Sequence, residues 1–411
     1  MAVPRKNWRP LPTAPLGSPL RISASEPRAP VSGTLQHSST SASFDVVVAG
    51  GGPAGSATAL DLSRRGFRVT LIEKSAYENF RVGETLPPEI RRLLTELGVW
   101  ERFMACDRIE SHGIRTAWET PIARHHDFLY NPYGCGWHVE RAGFDAMLAG
   151  AAADAGAELI VSARITALDE DVNGQWLLEV AAGGKQRTLH GRLLVDATGR
   201  KASIARKLGC GVQAVDRLVG AVAVLPRSEA EHWTLIEAVE NGWWYSAPLP
   251  RDGTVFAYMT DSDLWRNSSS WGELLRQAPL TSERATAMEK LPRIHIVSAA
   301  SLLRLPVTGP NWIAAGDAAL AFDPLSGLGI YKTIESGLRS SAAIVCCFEG
   351  DRSGMVEYEN WTAETFRSYL SMRRQFYGSV ERWPRSGFWQ RRIEGLKKTL
   401  ATNKHGATKR L

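Results

Sequence analysis

Apolar residues along the chain fall into short runs broken by glycine-rich stretches. Val46 to Ala49 forms the first run and leads directly into Gly50, Gly51, Gly52, Pro53, Ala54 and Gly55; a helix-forming stretch follows from Ser56 to Arg65. This reads as strand, turn and helix. A second strand is predicted over Arg68 to Ile72, ending at Glu73. Helical spacing returns at Glu89 to Leu97, with Leu93, Leu94 and Leu97 on one face and Gly98 as the stop, and again at Phe144 to Gly156. Strands are predicted at Glu158 to Val161, Trp176 to Ala181 and Arg192 to Asp196. From Val219 to Tyr258 the chain turns to strands rich in aromatics, as expected of an antiparallel sheet with one face lining a cavity. The last strand, Asn311 to Ala315, precedes GDAALAFDPLSGLGIYKTIESG, and beyond Gly350 the pattern is helical and basic. An α/β pattern interrupted by a β-rich insert implies a discontinuous Rossmann-like nucleotide domain with a separate substrate domain and a helical C-terminus.

The glycines of the first turn have the G-x-G-x-x-G spacing. Gly50 would permit the tight turn, Gly52 would let backbone approach a pyrophosphate at the helix N-terminus, and Gly55 would let helix and strand pack closely. The Glu73 carboxylate at the end of the second strand would accept both hydroxyls of an adenosine ribose. These features predict a bound dinucleotide and leave its identity, NAD or FAD, open.

Composition restricts the remaining classes. The 411 residues exceed one ordinary core, and 44% hydrophobic with 22% charged residues is a globular balance. No apolar run approaches the roughly 20 residues of a membrane span, so no membrane partner is expected. The net charge of +6 sits in the tails. Five basic residues face only Glu26 in residues 1–43, eight face only Glu394 in residues 385–411, and the body between them is acidic, which argues against nucleic acid. Five cysteines without C-x-x-C spacing fit a reducing, cytoplasmic compartment and make a metal site improbable. Residues 1–43 hold seven prolines and no hydrophobic periodicity, so a disordered arm is expected there.

Three separated segments carry a family resemblance: GGGPAG with Glu73, the VDATG segment from Val195 to Gly199, and Gly316-Asp317 with the downstream DPLSGLG. Together they resemble the FAD-dependent monooxygenases and flavin-dependent halogenases that share the p-hydroxybenzoate hydroxylase fold. The resemblance implies that Gly50, Gly52, Pro53, Ala54, Gly55, Glu73 and Lys74 hold the ADP half of FAD, and that Asp317 bonds the ribityl hydroxyls. It also implies that backbone amides at Gly327, Gly329 and Ile330 face the N1-C2 edge of the flavin, with Pro324 in the same cofactor-binding segment. Arg81 and Glu84, in NFRVGETLPP, correspond to a loop beside the flavin, and Arg141, in HVERAGFD, to an arginine on the phosphate or adenine side. It divides the chain into an FAD-binding domain of residues 44–118, 138–215 and 300–348, a substrate domain of 119–137 and 216–299, and a helical region of 349–411. No second G-x-G-x-x-G follows a strand, so the electron donor is either NAD(P)H bound transiently or a partner flavin reductase.

Specific positions separate halogenase from hydroxylase. Tryptophan halogenases carry a lysine, a W-x-W-x-I-P segment and a glutamate after the family's DP. This chain has HGIRTAW at His112 to Trp118 without a lysine, WWYSAP at Trp243 to Pro248, and Ser326 in place of the glutamate. Those departures point to oxygen insertion by a flavin C4a-hydroperoxide. Within the family, RVGETLPP, NPYGCGWH, GWWYSAPLP, FDPLSGLGIYK and ERWPRSGFWQRR resemble the flavoproteins that mature tryptophylquinone cofactors of bacterial lysine and glycine oxidases and quinohemoprotein amine dehydrogenases. The implied substrate is a tryptophan in a partner polypeptide. His138 and Glu84 are the candidate catalytic residues, His138 as base for the ring proton. Trp243, Tyr245 and Pro248 are candidate substrate contacts. The rival readings are a small-molecule hydroxylase or halogenase, an alkene reductase of the geranylgeranyl-reductase kind, and a non-catalytic FAD-bearing scaffold.

Overall fold

The computed structural model describes residues 42–227, 231–285 and 292–393. Residues 1–41 of the expected N-terminal arm and residues 394–411 of the basic tail lie outside them. Strand β1 (Ala42–Ala49), helix α1 (Pro53–Arg64) and strand β2 (Val69–Ile72) form the first unit. Val46, Val47 and Val48 are all fully buried. The absence of alternation is what a strand covered on both faces requires. α1 begins at Pro53 rather than Ser56, because proline at the first helical position has its φ preset and no N–H to leave unbonded.

β1 lies between β2 and the strand Lys185–Asp196, both parallel to it. Glu158–Ile160 extends the sheet beyond β2, and Trp312–Ala314 runs parallel to the end of Lys185–Asp196. The first half of Lys185–Asp196 hairpins antiparallel with Trp176–Ala182, which pairs in turn with Ala163–Glu170. Gly183 and Gly184, both at positive φ, make the two-residue turn. That hairpin explains why the strand starts seven residues before Arg192.

A second seven-stranded sheet has the order His295–Ser298, Leu218–Pro226, Gly253–Asp261, Gly242–Leu249, Trp233–Val239, Gly113–Ala117, Arg124–Asp127. All neighbours are antiparallel except Trp233–Val239 with Gly113–Ala117. Gly113–Ala117 thus belongs to this sheet and not to the nucleotide sheet, where residues 44–118 were expected. The cause is a pairing across more than a hundred residues, with Trp233 opposite Gly113. Gly136–Val139 joins Thr85–Leu86 and Arg108–Ser111 in a small sheet between the two large ones.

Two helices position the site. α1 packs on the helix Gly329–Phe348 through small residues: a Cβ built at Gly337 would lie 2.5 Å from the Ala54 carbonyl oxygen, and the Thr58 hydroxyl donates to the Gly337 carbonyl at 3.1 Å. The helix Ser353–Gly378 then ties the nucleotide sheet to the second sheet. Tyr358 donates to the Ala314 carbonyl near one end, and Tyr377 accepts from Trp243 Nε1 at the other.

Candidate active site

The turn after β1 is shaped by three glycines with different duties. Gly50 has φ +108°, and a Cβ there would meet the Ala197 carbonyl oxygen at 2.2 Å; a Cβ at Gly55 would lie 1.9 Å from the Gly50 oxygen. A Cβ at Gly52, the N-cap of α1, would meet nothing within 4 Å. Open space therefore faces the positive end of α1, as an anionic pyrophosphate requires. Pro53 and Ala54 are buried, Ala54 against Gly316 and Gly337. Lys74 is exposed.

Glu73 is 4% exposed and already accepts four bonds: from Gly51 N at 2.8 Å, Ser75 N at 3.1 Å, Ser75 Oγ at 2.6 Å and Arg81 Nη2 at 2.9 Å. Burial raises its pKa, but these donors outweigh it and hold the carboxyl below the usual range. A carboxylate has about four acceptor positions. Three of these donors share Oε1, while Oε2 accepts only Gly51 N among the described residues, so Glu73 braces the glycine turn and keeps an acceptor position on Oε2.

Arg81 and Arg141 converge on Asp145, which is fully buried. Arg81 Nη1 lies 2.7 Å from Oδ2, and Arg141 Nε and Nη2 each lie 3.1 Å from a carboxylate oxygen. Arg141 Nη1 donates to the Val82 carbonyl at 2.6 Å. The guanidinium expected on the cofactor's phosphate side is instead committed to the protein, at the start of the helix Arg141–Asp154. It borders Gly83, where Ile330 also approaches.

Asp317 stands on the turn Gly316–Ala318 without capping it. Lys332 Nζ donates to Asp317 Oδ1 at 2.7 Å and to the Leu320 carbonyl at 2.6 Å, and Arg200 Nε approaches Oδ2 at 3.4 Å. Burial opposes ionisation of Asp317, yet Lys332 and Arg200 hold its pKa below the ordinary value. Its side chain keeps 30% exposure, enough to receive hydroxyl donors. Lys332 was missed as a site residue although its motif was noted. Its signal in the sequence is a lysine next to Ile330 and Tyr331 in the first turn of the helix, three residues after Gly329. Beyond Asp317, Pro324, Gly327 and Gly329 are exposed, a Cβ at either glycine would meet nothing within 4 Å, and Ile330 is buried at the start of the helix. A second helix N-terminus thus opens onto free space.

A family described as "FAD binding domain" matches residues 43–355. LodB of Marinomonas mediterranea, described as an FAD-dependent oxidoreductase, is 30% identical over 362 residues, covering 85% of this chain and 97% of LodB. The chain belongs to the FAD-dependent oxidoreductase family. Its fold is that of the myxobacterial chondrochloren halogenase CndH (TM-score 0.76, 21% identity, 90% of this chain and 91% of that one). It is also that of QhpG, a peptidyl tryptophan dihydroxylase essential for tryptophylquinone cofactor biogenesis (TM-score 0.71, 23% identity, 85% and 79%). The two open helix termini, with Asp317 between them in the chain, fit the pyrophosphate, ribityl chain and ring of FAD in that order.

On the side of this flavoenzyme facing the second sheet, Glu84 is 2% exposed and accepts from the Gly83 amide at 3.0 Å. Burial pushes its carboxyl up; Tyr245, the nearby amides and Arg141 oppose the shift without cancelling it. Tyr245 Oη and Thr85 Oγ1 are 2.6 Å apart, and Thr85 Oγ1 is hydrogen-bonded to His138 Nδ1 at 3.0 Å. His138 is fully buried, and its Nε2 has no partner among the described residues. Burial, reinforced by Arg284, pushes its pKa down to about 3. An imidazole that weakly basic is a poor general base near neutral pH, which corrects the role expected for it.

The substrate contacts are also redistributed. Trp243 and Trp244 point to opposite faces of their strand, and both are fully buried. Trp243 packs on Trp118 and donates to Tyr377, so it is core rather than a stacking platform. Pro248 is buried within the same strand. Tyr245 remains partly exposed, packed against that aromatic cluster.

Asp323, the first residue of DPLSGLG, fixes the turn that leads into the helix Gly329–Phe348. Tyr377 Oη donates to its Oδ2 at 2.7 Å, Arg373 Nε approaches the same oxygen at 3.3 Å, and Leu325 N donates to Oδ1 at 3.0 Å. Arg373 also pairs with Asp216 at 2.7 Å.

Proposed function

We propose that this flavoenzyme is a monooxygenase that hydroxylates an aromatic ring, and that the ring is a tryptophan side chain of a partner polypeptide. The observation that carries the reading is the state of the cations at the site. Lys332 is held on Asp317 and the Leu320 carbonyl, and the stretch His112 to Trp118 contributes an arginine stacked over Trp233 and no ammonium group. A halogenation route that needs a free lysine has none in that stretch, while Ser326 stands where the halogenases have a glutamate. The likeness to a peptidyl tryptophan dihydroxylase supports the same direction.

FAD, when bound, supplies the activated oxygen. The chain's residues orient the ring, exclude water and handle the proton. Tyr245, partly exposed and packed against the aromatic cluster, is the contact best placed for an indole. Glu84, with its carboxyl pushed up by burial, is a better acceptor for the ring proton than His138. Hydrogen bonds through Thr85 to His138 Nδ1 orient the Tyr245 hydroxyl. Electrons come from NAD(P)H or a partner flavin reductase, and the five unpaired cysteines fit a cytoplasmic setting. Among the described residues no helix is long and apolar enough to cross a membrane.

The test is incubation of the FAD-loaded protein with a reductant, oxygen and a tryptophan-containing polypeptide, read by mass spectrometry. Gain of one or two oxygen atoms on the tryptophan is expected. A mass change that needs halide, or that appears only on free tryptophan, would overturn the reading.

A further inference from the structure

Arg200, whose Nε faces Asp317, also lines a second cavity of about 690 Å³. Lys201, Arg206, Cys210, Val212 and Arg304 complete most of its wall, and no acidic side chain lines it. The Arg200 guanidinium is committed to the Ala300 and Phe322 carbonyls and to Asp317, but the other three cations, Lys201, Arg206 and Arg304, have no carboxylate among them and are not explained by the flavin site.

Arg304 is the decisive member. It sits on the strand Leu302–Leu305 between buried leucine and exposed leucine, and is itself only 5% exposed. Its Nη2 donates to the Arg200 carbonyl at 3.1 Å, while its Nε has no partner among the described residues. The nearest acid, Asp196, is committed elsewhere: it accepts from Thr198 N, Thr198 Oγ1, Ile204 N and Ala205 N at 2.7 to 3.1 Å. Burial pushes the Arg304 guanidinium below its ordinary value; Asp196 opposes that shift and Arg206 adds to it. A buried cation without a counter-charge is costly, and a leucine would serve the packing of this strand.

We infer that this cavity is a binding site for a phosphorylated small molecule, distinct from the FAD site and bordering it at Arg200. Guanidinium groups match phosphate oxygens in a bidentate fork, and Arg304, Arg206 and Lys201 surround the cavity with the charge a phosphate dianion or pyrophosphate needs. The volume exceeds that of a lone phosphate and falls in the range of small-molecule sites. No aromatic side chain lines it, so the phosphate and not a stacked base provides the recognition. The concavity opens to solvent where Lys201, Arg206 and Val212 are exposed, so a small phosphorylated ligand has a route to Arg304 at its wall.

The experiment is calorimetric titration of the FAD-loaded protein at constant ionic strength with inorganic pyrophosphate, NADP+ and NAD+, with visible absorbance monitoring that FAD stays bound. Saturable one-site binding of pyrophosphate or NADP+ is expected. NADP+ binding without NAD+ binding would assign the site to a phosphate monoester, and equal binding of both to a pyrophosphate. Arg206→Glu, on an exposed residue, should weaken binding at least tenfold with FAD affinity unchanged, and Arg304→Gln should do the same if it folds. Absence of saturable binding with all three probes, or binding unaffected by Arg206→Glu, would overturn the inference.

Discussion

Gly52 and Gly55 stand three residues apart in one turn, and the space around them predicts different failures. Alanine at Gly52 meets no protein atom, so Gly52→Ala should leave the apoprotein's melting temperature nearly unchanged and weaken FAD at least tenfold, about 1.4 kcal/mol. Alanine at Gly55 collides with the Gly50 carbonyl and should destabilise the fold itself by about 1–3 kcal/mol. Equal loss of stability in the two variants would refute the assignment. His138 makes a pH prediction. Its pKa is lowered from 6.5 to about 3, so between those values the unfolded chain binds more protons than the folded one. Its contribution to stability is complete above about 6.5 and is lost as pH falls toward 3. Urea midpoints measured from pH 7 down to 4.5 should therefore fall less steeply in His138→Asn than in the native protein. The glycine spacing was legible in the sequence because it answers to backbone sterics within one turn. The weak basicity of His138 was not, because it comes from burial and from Arg284, 146 positions away.

At the scale of elements, the helix Ser353–Gly378 acts as a brace on the turn that leads into the helix Gly329–Phe348. Tyr377 bonds Trp243 in the second sheet and Asp323 beside the open helix terminus, and Arg373 pairs with Asp323 and Asp216. Removing Arg373 leaves two carboxylates without their shared cation, so Arg373→Met should cost about 3–5 kcal/mol. Tyr377→Phe, which loses two buried hydrogen bonds, should cost about 1–3 kcal/mol and loosen FAD at the same time. Thermal unfolding together with flavin release measures both; a Tyr377→Phe protein with unchanged FAD affinity would show that the brace does not reach the site. The strand-helix alternation and the aromatic-rich second sheet were readable from periodicity. The placement of Gly113–Ala117 in that second sheet was not, since pairing with Trp233–Val239 leaves no mark on the local pattern.

For the whole molecule, FAD should act as a structural ligand as well as a reagent. Its expected contacts come from β1, α1, the turn at Asp317 and the helix Gly329–Phe348, which are far apart in sequence. A ligand that binds only the folded state at a hundredfold excess over Kd stabilises by about 2.7 kcal/mol. The melting temperature should therefore rise with FAD concentration in the native protein and need at least tenfold more FAD for the same rise in Gly52→Ala. The sequence by itself determined the α/β class, the glycine turn and the family, because these depend on local sterics, short-range periodicity and motifs contiguous in the chain. Only the tertiary structure decided that Lys332 and Arg200 flank Asp317, that Trp243 is core, and that Glu84 rather than His138 has the raised pKa. Those properties are set by burial and by groups that folding brings together, Arg200 and Asp317 across 117 positions for example, which no local pattern encodes.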